Sequence, residues 1–328
     1  MIASTPVARW TWGRDEQAED KVTACLHELL TAYTILLKHR LVVDDAPNVS
    51  MSVHEAGKPN SFLFQGDVEL DTTWSDPAQQ LATLVKAALR PGEIGSVYAD
   101  ANRAGGFIAG IEELREERLF RVGASMLLDH VSVDLVTFSD AWMPYDLRGY
   151  DQPAVYAANA PRLSAALRDL SEALDSEVDP DDPTYFGKPT ETGVDNYLDE
   201  EGVAADVWAS FEIPRRYSVF RHAPGFGHIG YKRSVDGEVR YVPVRDEHGV
   251  VLGYLWASEA ENGASFEPRD LDDEEKYKAS LSWLQRLKSA HDRGLSPSQA
   301  LAELAGLGEH DRPSVIELDR LRELANEG

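Results

Sequence analysis

Cysteine is almost absent from this chain. Cys25 is the one thiol in 328 residues, so no internal disulfide and no cysteine-built zinc cluster can form. Long apolar runs are missing as well, and nowhere do about 18 apolar residues follow one another as a spanning helix would require. The first ten residues carry no basic stretch followed by an apolar one. Together with the lone thiol, this gives the expectation of a cytoplasmic protein. Positive charge is scarce too: 32 Lys and Arg stand against 57 Asp and Glu, a net charge of -25. Such a surface repels nucleic acid and anionic membranes, whose binding needs cations to displace counterions, so neither is expected as a partner.

Complete catalytic signatures are also lacking. No Gly-x-Ser-x-Gly occurs, and His27-Glu28 is followed by Thr31 where a metalloprotease helix needs its second histidine. Asp179, Asp181 and Asp182 open like a calcium loop, but Thr190 stands where the bidentate Glu belongs. Gly225, Gly227 and Gly230 spell G-x-G-x-x-G, yet the following residues alternate like a hairpin instead of opening a helix. No catalytic residue, metal ligand or cofactor is therefore assigned. Cys25, beside Leu26 and Leu29, reads as a small core residue.

What is present is a mixture of helix and strand signals. Val22, Cys25, Leu26, Leu29, Leu30, Tyr33, Leu36 and Leu37 recur with helical spacing over 15–40. Runs at 49–55 and 61–70 read as a hairpin, Asp76-Pro77 opens a second helix, and 131–138 alternates as a strand. Asn159-Ala-Pro161 opens a third helix, while 94–128 is ambiguous. Farther on, His228–Ser234, Val239–Val244 and Val250–Ala257 read as a three-stranded antiparallel meander turning at Asp236-Gly237 and Glu247–Gly249. Helices are expected from Asp270, from Ser296 and from Ser314, the last two on capping-box patterns. The fold class is α+β: a mixed N-terminal domain over 1–178, an acidic connector over 179–207, and a meander packed with helices over 208–328.

Two segments of opposite charge stand out. Residues 175–206 hold 11 acidic residues against Lys188 alone, a local charge of -10, with Pro180, Pro183 and Pro189. Self-repulsion and prolines suit a solvated linker. Residues 213–245 hold seven Arg and Lys against Asp236 and Glu238, a local +5. There Arg215, Arg216, His222, Gly225, Gly227, His228, Lys232 and Arg233 form a candidate anion-binding set, with glycines that let backbone N–H groups approach. Alternatively, these cations simply neutralise acidic neighbours. A third cluster, Asp140 to Tyr150, combines Trp142, Tyr145, Asp146 and Arg148 after a strand; it suits either a ligand-binding edge or a self-anchoring loop.

The functional expectation is an acidic interaction protein that binds a basic protein, such as an immunity- or antitoxin-like inhibitor, with Asp199, Glu200 and Glu201 as partner-binding residues. The alternative is an enzyme or sensor for a small anionic ligand held by the 215–245 segment.

Overall fold

A computed structural model of the chain describes all residues except 44–46, 72–73, 110–111, 224–229, 308–311 and 327–328. The fold is α+β, and the chain divides into two compact units, Met1–Trp208 and Ala209–Gly328. Residues 179–207 thus belong with the first unit, where a free-standing linker was expected.

The first unit is built on a seven-stranded antiparallel sheet. In chain order its strands are β1 (Ala8–Asp15), β2 (Asn48–Glu55), β3 (Lys58–Glu69), β4 (Ile94–Ala109), β5 (Glu112–Leu127), β6 (His130–Thr137) and β7 (Asp179–Pro180). In space they run β3-β2-β4-β5-β6-β1-β7. The ambiguous 94–128 region holds β4 and β5, which pair antiparallel with one another. Alternation decides the two faces: Trp10, Trp12, Val49, Val53, Val97, Ala124, Val133 and Leu135 are buried on one of them. Helices α1 (Lys21–Lys38) and α3 (Pro153–Ala173) cover that face, with α2 (Pro77–Ala87) beside α1. Asp20 and Asp76 cap α1 and α2 by accepting from the N–H of Thr23 and Gln79. The third helix starts at Pro153, eight residues before the expected Pro161, which lies inside it. A capping-friendly Asn-Ala-Pro signal was misleading, since Asn159 is buried and its Nδ2 donates to Val155 O at 2.7 Å.

The second unit holds a four-stranded sheet in the order β12-β11-β10-β13. Its strands are β10 (Glu238–Arg245), β11 (Val251–Ser258), β12 (Gly263–Pro268) and β13 (Ser314–Glu317). A meander does form, but over β10, β11 and β12. Of the expected first strand, residues 228 and 229 lie outside the described residues. The rest is irregular, since Lys232 makes only an isolated bridge to Gly263. Ser314–Glu317, expected to start a helix, is strand β13 paired with β10, and α7 (Leu318–Asn326) follows it. Val239 and Ile316 pack with α7 there, so tertiary burial overrides the capping pattern. Leu255, Ala257 and Phe266 face the other way and pack with α4 (Ile213–Arg221), α5 (Glu274–Asp292) and α6 (Pro297–Leu304). The Ser296 capping box is present at α6.

Candidate functional site

Among the described residues of the basic segment, Arg233 meets the His222 carbonyl at 3.3 Å, while Arg216 is buried elsewhere in an ion cluster. Arg215 and Arg216 sit on α4, where successive residues turn about 100° apart, so Arg215 is exposed while Arg216 is buried. The Arg216 guanidinium is fully used: Nε donates to Glu212 Oε1 at 2.9 Å, Nη1 to Leu271 O at 2.9 Å and Nη2 to Glu274 Oε2 at 2.7 Å. Its plane also lies 4.4 Å from the Tyr277 ring centre. This is a structural ion cluster. His222 is exposed at the end of α4, and its Nδ1 stands 3.4 Å from Ser218 Oγ. Lys232 lies 4.0 Å from Glu261, and Arg233 Nη1 donates to Val219 O at 2.6 Å. Gly225, Gly227 and His228 lie outside the described residues.

The acidic segment behaves oppositely: it is folded onto the first unit. Thr11 pairs with Asp179 and Trp10 with Pro180, so β7 extends the sheet beyond β1. Thr184 Oγ1 donates to Val7 O at 2.8 Å, and Trp10 Nε1 donates to Thr190 O at 2.8 Å. A small hairpin of β8 (Lys188–Thr190) and β9 (Gly193–Asp195) buries Phe186 and Val194. Gly187 is required there, because a Cβ on it would stand 2.8 Å from Val194 Cγ1 and 3.2 Å from Met143 Sδ. Pro180 and Pro189 are compatible with short edge pairings of this kind.

The Asp140–Tyr150 loop is the other half of the same lobe. Asp140 and Trp142 are buried; Leu147 N–H donates to Asp140 Oδ2 at 3.0 Å and Trp142 Nε1 to Thr137 Oγ1 at 2.8 Å. Burial pushes the Asp140 carboxyl above its ordinary range. This side of the loop anchors itself. Its outer side meets the acidic segment through Asn196, whose amide exchanges two hydrogen bonds with the Tyr145 backbone, at 3.1 and 2.9 Å. Gly149 adopts φ +82°, and a Cβ on it would lie 2.7 Å from Ala204 O. Between the two segments is a cleft of about 330 Å³ lined by Pro144, Tyr145, Lys188, Asp195, Asn196 and Leu198. Lys188 is drawn over the Tyr197 ring, 4.9 Å from its centre.

Asp195 and Lys188 are the charged residues on the described lining of this cleft. All 11 carboxylates of residues 175–206 are exposed. The strands position them by putting Phe186 and Val194 inward. Asp199 has a further task, because its Oδ1 accepts from the N–H of Glu201 and Val203, both at 2.9 Å, and so shapes the turn. Glu200 and Glu201 stand free of that duty at its tip. Apolar groups are exposed on the same lobe: Tyr150 at 68%, Tyr185 at 68%, Leu198 at 53% and Val203 at 58%.

A second polar cluster was not anticipated from the sequence. On the sheet face opposite α1, Asp100 and Asp134 reach over Gly123, whose missing side chain leaves them room: an added Cβ would lie 2.8 and 2.6 Å from their Oδ1 atoms. Arg121 lies 3.2 Å from Asp134 and 3.9 Å from Asp100, and Arg9 lies 3.6 Å from Asp134 and 3.8 Å from Asp181. Burial raises the Asp100 pKa, helped by the Asp134 charge and opposed by Arg121. The alternation of Ser132 and Asp134 signalled a polar face, but the partner strand was ambiguous. Opposite charges thus face one another across β4, β5, β6 and β1, with a hydrogen bond from Arg121 Nη2 to Asp134 Oδ2. Among the described residues no group of three or more His, Cys, Asp or Glu could hold a metal ion, and no helix is long and apolar enough to cross a membrane.

No protein-family model, no curated protein and no solved structure matches this chain.

Proposed function

We propose that this is a protein-binding protein whose acidic lobe takes a basic segment of a partner protein. The observation that carries the reading is the lobe itself: 11 exposed carboxylates held on a folded scaffold, beside a cleft where Pro144, Tyr145 and Leu198 stand with Lys188, Asp195 and Asn196. A flexible acidic linker would attract cations but lose affinity to its own ordering on binding. A fixed lobe avoids that cost. Lys or Arg side chains of the partner would lie against Asp195, Glu200 and Glu201, while one apolar side chain enters between Pro144, Tyr145 and Leu198. Long-range attraction would speed the encounter, and the cleft would set how long the complex lasts. Neutralising inhibition of a basic protein fits these terms. A reducing compartment such as the cytoplasm suits a chain whose one thiol is buried.

The test uses the full chain and a synthetic peptide of alternating Lys and Arg around one central Leu. Association should slow steeply between 0.1 M and 1 M salt, as the Debye length falls from roughly 10 Å to 3 Å. The variant Asp195→Asn/Glu200→Gln/Glu201→Gln should slow association, and Leu198→Ala should mainly speed dissociation. Association indifferent both to salt and to the triple variant would sink this reading. Asp199 is left intact because its carboxylate holds the turn.

A further inference from the structure

The second unit contains a cavity of about 180 Å³ lined by Tyr231, Arg233, Ala264, Leu284, Leu287 and Lys288. Ala264, Leu284 and Leu287 give it an apolar wall. Tyr231 contributes its ring, since its hydroxyl donates to Leu295 O at 2.8 Å and is committed there. Among the described residues the charged ones on the lining, Arg233 and Lys288, are both cationic, within a chain at net -25.

Arg233 is the more informative of the two. Its Nη1 is fixed by two carbonyls, Val219 O at 2.6 Å and His222 O at 3.3 Å. Neither acceptor carries a full negative charge. Burial lowers the pKa of this guanidinium. The treatment of Arg216 in the same unit is different, because two carboxylates meet that buried guanidinium. A partly desolvated cation held in place by backbone carbonyls is stabilised by an incoming anion, and fixing it beforehand removes part of the ordering cost. Lys288, exposed on α5, supplies a second positive charge on the same lining.

Size and wall chemistry narrow the ligand. A cavity of roughly 150 Å³ lined by aliphatic groups accommodates a benzene-sized body. The available space therefore suits a short tail. We propose that this cavity binds a small organic carboxylate, its charge placed between Arg233 and Lys288 and its short apolar tail against Ala264, Leu284 and Leu287. The site is independent of the acidic lobe.

Hexanoate, hexan-1-ol and inorganic phosphate are the probes, titrated into the full chain by isothermal calorimetry with backbone amide NMR to locate the site. Hexanoate should bind saturably and shift amides around Ala264 and Leu287. Hexan-1-ol and phosphate should each bind at least about tenfold more weakly, one lacking the charge and the other the tail; tenfold corresponds to about 1.4 kcal/mol. Lys288→Gln, at an exposed position, should weaken hexanoate severalfold, Lys288→Glu should abolish it and Lys288→Arg should retain it. Each variant's amide spectrum reports whether it folds. Absence of saturable hexanoate binding, equal binding of hexan-1-ol or phosphate, or indifference of hexanoate to Lys288→Glu in a folded variant would overturn the assignment.

Discussion

The acidic lobe and the second unit treat charge in opposite ways. In residues 175–206 every carboxylate is exposed, and the lobe is held by Phe186, Val194 and backbone hydrogen bonds to β1. In the second unit Glu212, Arg216 and Glu267 are buried and answer one another or nearby partners. Charge on the lobe is thus available to a partner at little structural cost. Charge in the second unit is part of the core, and an arginine there is no evidence of a ligand merely because it is basic. Arg216 and Arg233 differ in this respect: one has two carboxylates against it, the other has carbonyls.

Breaking the buried cluster is the severest test of that contrast. Arg216→Ala removes the buried cation that faces both Glu212 and Glu274, and should cost about 3–5 kcal/mol in urea unfolding. A loss below about 1 kcal/mol would mean that the cluster is open to water. Next comes the claim that the lobe is folded. Gly187→Ala forces a methyl against Val194 and Met143, so a loss of about 1–3 kcal/mol is expected, with faster proteolysis within 180–205. A true linker would tolerate the change without effect.

Two carboxylates should respond to acid with opposite slopes. Lys38 and His39 hold Asp169 down from an ordinary 3.8 to about 2. Between those values the unfolded chain binds more protons, so its stabilising contribution is complete above about pH 4 and disappears as pH falls toward 2. Burial raises Glu267 above its ordinary 4.5, against the pull of Arg322 and Arg221. Here the native state binds the proton more tightly, so the stabilising contribution is complete below 4.5 and declines as pH rises through the raised value. Glu267→Gln should remove that decline from a pH series of unfolding midpoints, and Asp169→Asn should remove the acid-side loss. The smallest effect belongs to the lobe surface: Glu200→Gln/Glu201→Gln should shift unfolding by no more than about 0.5 kcal/mol, with its consequence seen in association rate.

Helices with a clear apolar stripe or cap were legible, as α1, α2 and α6 demonstrate, because period and cap are local properties. The 48–69 hairpin and β6 were legible for the same reason. Strand β1 was not: its signal is Ala8, Trp10 and Trp12 in alternation, too short to separate from an aromatic start. Helix α4 was hidden by Pro214 and the arginines, although Glu212 and Arg216 stand one helical turn apart and pair across it. At the candidate site, composition marked both the acidic segment and the 140–150 loop. It could not reveal that Asn196 and Ala204 bring them together, since such contacts depend on the fold of the whole unit. Charge counting also misjudged the linker, because outward carboxylates are compatible with an apolar underside as small as Phe186 and Val194.

The placement of β1 has a consequence for the order in which the chain can mature. Its hydrogen-bonding neighbours are β6 and β7, so a strand made first must wait for residues 130–137 and then 179–180. Trp12 Nε1 finds Ser171 Oγ, and Trp10 Nε1 finds Thr190 O. On a ribosome, both indoles therefore stay without these partners until residues 171 and 190 have emerged. At about 5–20 residues per second that interval lasts on the order of ten seconds, during which the nascent β1 segment is a natural client for chaperones that hold exposed aromatic segments.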